Sequence, residues 1–308
     1  MKVRRHVSSK RRGQPCDYSK HLNDHVVSVP SMFNLLVPSL FALSSALPAT
    51  SSFNNIFTIV LENESFQPTF NQPYFGKVLA PKGRLLTNYH GVTHPSQPNY
   101  IAMTSGSTSG VFLDFTADVD KTNVVDKLEA AQLTWKSYQE SYPVASGCFK
   151  GDAAPYYRKH NPFASYVNIQ SNPARCQNIV NANQLQADIA AGTLPNYMFY
   201  TPNINNDGHD TDLDYAANWL QGFIEPLLTN PVFSKTLFVV TFDESANFLD
   251  IDTVHNQIYT VLLGAGVPAG TQDNTYYNHY SILKTLETNW GIGSLTSNDA
   301  GANPFNLH

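Results

Sequence analysis

Phe57-Thr58-Ile59-Val60-Leu61-Glu62-Asn63 is an apolar, β-branched run that stops abruptly on a carboxylate and an amide. Leu237-Phe238-Val239-Val240-Thr241-Phe242-Asp243-Glu244 repeats the pattern 180 residues later. An uninterrupted apolar run of this length reads as a strand buried on both faces. Further β-like runs fall at Leu133–Tyr138, Tyr197–Tyr200 and Tyr259–Leu263. Helix-like stretches lie between several of them, at Asn99–Thr104, Val124–Ala131, Gln184–Ala191, Asp212–Leu228 and Ser281–Trp290. Strands alternating with helices predict an α/β fold, an αβα sandwich around a mostly parallel central sheet. In such sheets ligands bind beyond the carboxyl ends of the strands, and both acidic pairs fall there.

Glu62, Asn63, Asp243 and Glu244 together supply three carboxylates and an amide oxygen. Taken singly, each pair would cap the turn after its strand. Taken together, after two apolar strands, they form a hard-oxygen donor set. It suits one divalent metal ion, Ca, Mg or Mn rather than Zn. Thr93-His94-Pro95-Ser96-Gln97-Pro98-Asn99-Tyr100 places a serine in a proline-framed turn ahead of a helical stretch. The N–H groups of a helix N-terminus attract an anion. Ser96 is thereby a candidate nucleophile, which a metal would activate; an isolated Pro-Ser would read as an ordinary N-cap. His94 and Asn99 flank it with further hydrogen-bonding groups. His160 (in Arg158-Lys159-His160-Asn161-Pro162), His209 (in Asn206-Asp207-Gly208-His209-Asp210) and His279 (in Asn278-His279-Tyr280-Ser281) lie in polar, turn-like contexts. Protonated in acid, they would offset phosphate charge.

The N-terminal region reads differently. Residues 1–31 are polar and basic, and the apolar run from Met32 to Ala46 reads as a signal peptide with cleavage expected after Ala46; Met32 as the true start and a short type II anchor are the alternatives. Residues 1–46 carry seven Lys/Arg against two Asp/Glu, which leaves twelve basic and twenty-two acidic residues beyond them, a formal net charge of −10. That balance argues against a nucleic-acid-binding face. Residues 47–308 are expected to form a single domain, with no stable membrane association after cleavage and a secreted or cell-wall location. Cys148 and Cys176 lie in an irregular excursion near 142–178, rich in Tyr, Pro and Asn, and in an oxidising compartment they are expected to form a disulfide. Asn63-Glu64-Ser65 is a glycosylation sequon, but a strand-tip Asn turned into a site cannot also carry a glycan.

The segments FTIVLENESF, THPSQPNYIAMTSG, KHNPF, NDGHD, VVTFDE and NHYSILKTLE, in that order, resemble the phosphoesterase family of fungal secreted acid phosphatases and bacterial phospholipase C-like enzymes, within the alkaline-phosphatase-like superfamily. The resemblance runs from about Phe57 to Trp290. It implies a single metal held by Glu62, Asn63, Asp243 and Glu244, with Ser96 as the phosphate-attacking nucleophile that also touches the metal. It places Asn99, His160, His209 and His279 toward the phosphoryl group. Position 244 is often Asp in relatives and is Glu here. The implied function is a metal-dependent acid phosphatase that hydrolyses small phosphate monoesters through a phosphoserine, with His209 or His279 protonating the leaving group. The alternatives are a phospholipase C-type phosphodiesterase and, in another class, a non-catalytic secreted binding protein on the same fold. Against the last, no nucleophile or ligand motif is lost.

Overall fold

A computed structural model describes residues 51–246 and 256–308. The expected signal peptide and its basic extension lie outside the described residues. In chain order the strands are β1 (Asn55–Leu61), β2 (Arg84–Leu86), β3 (Tyr89–His90), β4 (Trp135–Gln139), β5 (Ile179–Asn181), β6 (Tyr197–Thr201), β7 (Thr236–Phe242), β8 (Thr260–Gly264), β9 (Thr271–Asp273) and β10 (Tyr277–Asn278). The helices are α1 (Phe66–Asn71), α2 (Ser96–Ser105), α3 (Val124–Ala130), α4 (Val167–Gln170), α5 (Pro173–Cys176), α6 (Gln184–Ala191), α7 (Leu213–Thr229), α8 (His279–Trp290) and α9 (Ser297–Gly301).

The main sheet has the order β5-β4-β6-β1-β7-β8-β2-β9. Its pairs are parallel from β5 through β7. Strand β8 alone runs against its neighbours, pairing antiparallel with both β7 and β2, and β9 lies parallel to β2. Five of these strands match the apolar runs read from the sequence. The reversal of β8 and the three-residue strands β2, β5 and β9 were not legible there, because three residues carry no periodicity.

Strand alternation sorts the aromatic side chains onto two faces. Phe57 and Tyr200 meet Phe223 of α7 on one side. Phe199 meets Tyr100 of α2 and Phe163 on the other. Both faces of the central strands are therefore covered, and β1 and β7 are buried along nearly their whole length. Helix α2 is buried at all ten positions, as expected of a helix packed on every side. Its C-terminus is closed by Gly106, whose φ of 74° is the left-handed cap that glycine adopts without strain. Helix α8 starts on a capping box, the Asn278 and Ser281 side chains each bonding the other's backbone. The excursion near 142–178 is tied by the Cys148–Cys176 disulfide. It is less irregular than expected, since it holds α4, α5 and two 3-10 turns, Arg158–His160 and Pro162–Ser165.

Candidate active site at the strand tips

Parallel strands β6, β1 and β7 end side by side, and their exits are tied by main-chain hydrogen bonds. The Glu62 N–H donates to the Asp207 carbonyl at 3.0 Å, and the Asp243 N–H donates to the Leu61 carbonyl at 3.0 Å. Asn63 turns the chain out of β1 with a φ of 55°, a left-handed conformation that Asn tolerates better than most residues. That turn aims its N–H at Asp243 Oδ1, 3.0 Å away. In the loop after β6, Gly208 has a φ of 105°, open only to glycine without strain. It lets the loop fold back so that Asp207 Oδ1 accepts the His209 N–H at 2.9 Å.

Ser96 is the first residue of α2, immediately after the cis His94–Pro95 peptide and its proline. Its hydroxyl, 1% exposed, donates to Glu62 Oε2 at 2.8 Å. The Tyr100 hydroxyl, one turn along the same helix, donates to Glu62 Oε1 at 2.8 Å. His160 stacks on the Tyr100 ring. Its Nε2 lies 3.1 Å from Glu62 Oε1 and its Nδ1 3.4 Å from Asp207 Oδ2, neither aligned as a hydrogen bond. Ser96, Glu62, Asp243, Glu244 and His160 are thus brought to one sheet edge. Asn63 joins them through its backbone.

The remaining expected residues take other stations. Asn99 is fully buried and holds the loop before it: its Oδ1 accepts the Val92 and Thr93 N–H groups at 2.9 and 3.0 Å, and its Nδ2 donates to the Thr93 carbonyl at 2.7 Å. His94 Nδ1 lies 2.7 Å from Glu244 Oε2. Both nitrogens of His279 are engaged, Nε2 with the Asp243 carbonyl at 2.5 Å and Nδ1 with the Tyr89 hydroxyl at 3.2 Å. His209 sits at the open side, with Nδ1 2.7 Å from Asp210 Oδ1 and Nε2 3.3 Å from Lys159 Nζ.

Electrostatics separate these groups. Burial pushes all four carboxyls, Glu62, Asp207, Asp243 and Glu244, above the usual carboxylate range. Mutual repulsion adds to this at Asp207, Asp243 and Glu244, and Glu244 is pushed up to about 11. Burial also drives His160 down to about 3 and His279 down to about 4. The expected protonation of these two histidines in mild acid is therefore not what their burial allows. Lys159 loses by burial but gains more from Glu62, Asp114 and Asp243, and its ammonium is held charged.

Four buried carboxyls at one point are costly unless a cation offsets them. Oδ2 of Asp243 and Oδ2 of Asp207 are buried without a hydrogen-bond donor. The donors are all hard oxygens, which fits the chemistry of Ca, Mg or Mn. Among the described residues, however, no three His, Cys, Asp or Glu side chains are already closed around one point as a metal cage. Sequence reasoning passed over Tyr100, Lys159 and Asp207. Asp207 lay inside a segment already singled out for its histidine. Tyr100 had a signal too, one helical turn beyond Ser96.

A mostly parallel sheet with helices packed on both faces is an αβα sandwich, and here it sets a helix-N-terminal serine against buried acids at the strand tips. The chain belongs to the Phosphoesterase family, whose model matches residues 71–293. It is similar to an acid phosphatase of Aspergillus fumigatus, 37% identical over 86% of this chain and 64% of that protein. A phosphate-repressible acid phosphatase of Penicillium chrysogenum is 38% identical over 82% of this chain and 62% of its own length. The chain thus spans slightly under two thirds of both fungal relatives. A phosphatidylinositol-3-phosphatase of Mycobacterium tuberculosis is 30% identical over 83% of this chain and 82% of that one. The fold is shared with an alkaline phosphatase superfamily protein from Vibrio parahaemolyticus, with a TM-score of 0.56 at 14% identity, covering 83% of this chain and 72% of that one.

Proposed function

We propose that this protein is a secreted acid phosphatase that hydrolyses small phosphate monoesters through a phosphoserine on Ser96. The observation that carries the reading is the Ser96 hydroxyl, buried at the start of α2 with its proton directed onto Glu62 Oε2 at 2.8 Å. The acid phosphatase relatives support the monoester class.

In this mechanism Ser96 Oγ attacks phosphorus, its proton passes to Glu62, and the bond from phosphorus to the alcohol oxygen breaks. His209 protonates the departing oxygen, held by Asp210 at Nδ1. Water then attacks the phosphoserine and gives a proton to His209, the bond from phosphorus to Oγ breaks, and Glu62 returns the proton to Ser96. Lys159 supplies positive charge beside His209. His279 is fully buried where His209 is exposed; it holds the Asp243 backbone through Nε2 and donates nothing to the leaving group. Asn99 and His94 act one step back from the phosphoryl group, through the Ser96 loop and Glu244. A divalent cation held by Glu62, Asn63, Asp243, Glu244 and Ser96 would neutralise phosphoryl charge and ease ionisation of the serine. Catalysis rests on placement and charge neutralisation.

The test is p-nitrophenyl phosphate hydrolysis from acid to alkaline pH, with and without a chelator, beside Ser96→Ala. The expected result is acid activity that drops by about three orders of magnitude or more in the variant. Wild-type activity in Ser96→Ala would end the nucleophile assignment. Turnover of a phosphodiester or phospholipid but no monoester would move the protein to the phospholipase C branch.

A further inference from the structure

Among the described residues, three of the seven exposed large apolar side chains fall within four positions: Phe112 at 68%, Leu113 at 51% and Phe115 at 47% exposed. Exposed apolar side chains gathered in one short segment, unlike singly scattered ones, mark an interaction or ligand site. The segment is fastened to the nucleophile helix. The Gln97 N–H, next to Ser96, donates to Asp114 Oδ1 at 2.9 Å, and the Phe115 N–H donates back to Gln97 Oε1 at 3.0 Å. Nε2 of the same amide is buried and has no partner. Asp114 Oδ2 in turn lies 3.1 Å from Lys159 Nζ, which reaches His209. A cleft of about 150 Å³ runs between Phe115 and Tyr157, with Asp114 and Lys159 on its wall. The apolar segment and the phosphate-handling groups thus share their anchoring residues.

We propose that Phe112, Leu113 and Phe115 form the leaving-group subsite of the active site, and that it takes an aromatic alcohol. The inference rests on the phosphatase reading above and adds a substrate class to it. Continuity with Ser96 through Gln97, and with His209 through Lys159, places the rim on the side where the alcohol departs. The two phenylalanine rings face each other at 6.2 Å with a 60° tilt, an arrangement suited to an edge-to-face partner. At about 150 Å³ the cleft is smaller than a long acyl chain. Polar alcohols, such as those of sugars or glycerol, would gain nothing from this rim.

The experiment compares 1-naphthyl phosphate with glycerol 2-phosphate in the wild-type chain, in Phe112→Ser/Phe115→Ser and in Phe112→Leu/Phe115→Leu. Each variant is scored by its change in kcat/KM relative to wild type on the same substrate, which cancels the different reactivity of the two esters. The expected result is a fall of at least tenfold in naphthyl-over-glyceryl preference for the Ser pair, mostly through KM, with partial recovery in the Leu pair. A preference unchanged within twofold overturns the subsite. In parallel, equilibrium binding of 1-naphthyl phosphate is measured on Ser96→Ala with and without the Ser pair. Binding that weakens about tenfold would uphold the subsite even if wild type turned over neither ester, a result that would sink the phosphatase reading alone. Unchanged binding would overturn the subsite whatever the activity. If dioleoyl phosphatidate in micelles depends on the rim and naphthyl phosphate does not, the apolar group is an acyl chain and the aromatic assignment fails.

Discussion

Tyr100 shows how one hydroxyl supports the proposed chemistry without touching substrate. Its O–H occupies Glu62 Oε1, while the Ser96 O–H occupies Oε2. Burial and the neighbouring acids hold the phenol far above its usual range, so it remains a donor at every working pH. Tyr100→Phe leaves the ring stacked on His160 and removes only that donor. A lost hydrogen bond to a buried charged group costs about 1.5–3 kcal/mol. The expected outcome is an unfolding free energy lower by that amount, read from a lower denaturant midpoint at unchanged slope, and a reduced kcat, with phosphate binding largely kept; an unchanged midpoint would mean that Glu62 does not depend on Tyr100. Asp207→Asn tests a second link. It keeps the backbone tie to Glu62 but weakens acceptance of the His209 N–H. The expected loss is in kcat, read by steady-state kinetics, with little change in KM.

Two connections between elements carry their own expectations. Cys148 and Cys176 tie the start of the excursion to the end of α5, across 28 residues. That excursion delivers His160 and Lys159 to the site. Replacing both cysteines by Ser is expected to cost about 2–4 kcal/mol of stability and to lower activity at elevated temperature before the fold is lost. Thermal inactivation curves at equal concentration would show it. In helix α8, Glu287 lies within electrostatic reach of Asp299 in α9. Burial, and then the neighbouring Asp299 carboxyl, raises Glu287 to about 7. A raised carboxyl keeps its proton longer in the folded state. Its stabilising contribution is therefore complete below about pH 4.5, the unfolded value, and is lost as pH rises through about 7. Glu287→Gln should flatten the stability profile across that window and raise stability at pH 8 relative to wild type. A profile parallel to wild type would refute the raised titration of Glu287. The antiparallel β8 and the short β2 and β9 beside it were hidden from a reading by runs and periods, since strand direction depends on where the connection returns.

The charge balance of the entire chain gives the metal proposal a test apart from activity. Folding brings four carboxyls together that the unfolded chain keeps apart. A cation that binds only the folded state stabilises it by mass action, about 2.7 kcal/mol at a hundred times its dissociation constant. Chelation should lower the melting temperature, and Mg, Mn or Ca should restore it in order of affinity. Glu62→Gln should abolish that response. A melting temperature indifferent to chelator, in protein with no bound metal by elemental analysis, would remove the cation from the mechanism. No helix among the described residues is long and apolar enough to cross a membrane.

The amino-acid sequence alone determined that Glu62, Asn63, Asp243 and Glu244 stand at strand ends, and that Ser96 lies in a turn just ahead of a helix; that the helix begins at Ser96 itself came from the structure. Both facts are local: an apolar run ends in acids, and a proline-framed turn precedes a helical stretch. The ordered motifs were enough to place the chain in its family. Tertiary structure alone decided that Tyr100 and Ser96 share Glu62, and that Asn99 binds its own loop. It also decided that His279 spends both nitrogens on Tyr89 and the Asp243 backbone, and that Asp114 joins an apolar rim to the helix of Ser96. The reason is physical. Local pattern states which side chains can donate or accept; which partner each one meets, and how far burial shifts its charge, depends on groups that only the folded sheet brings together.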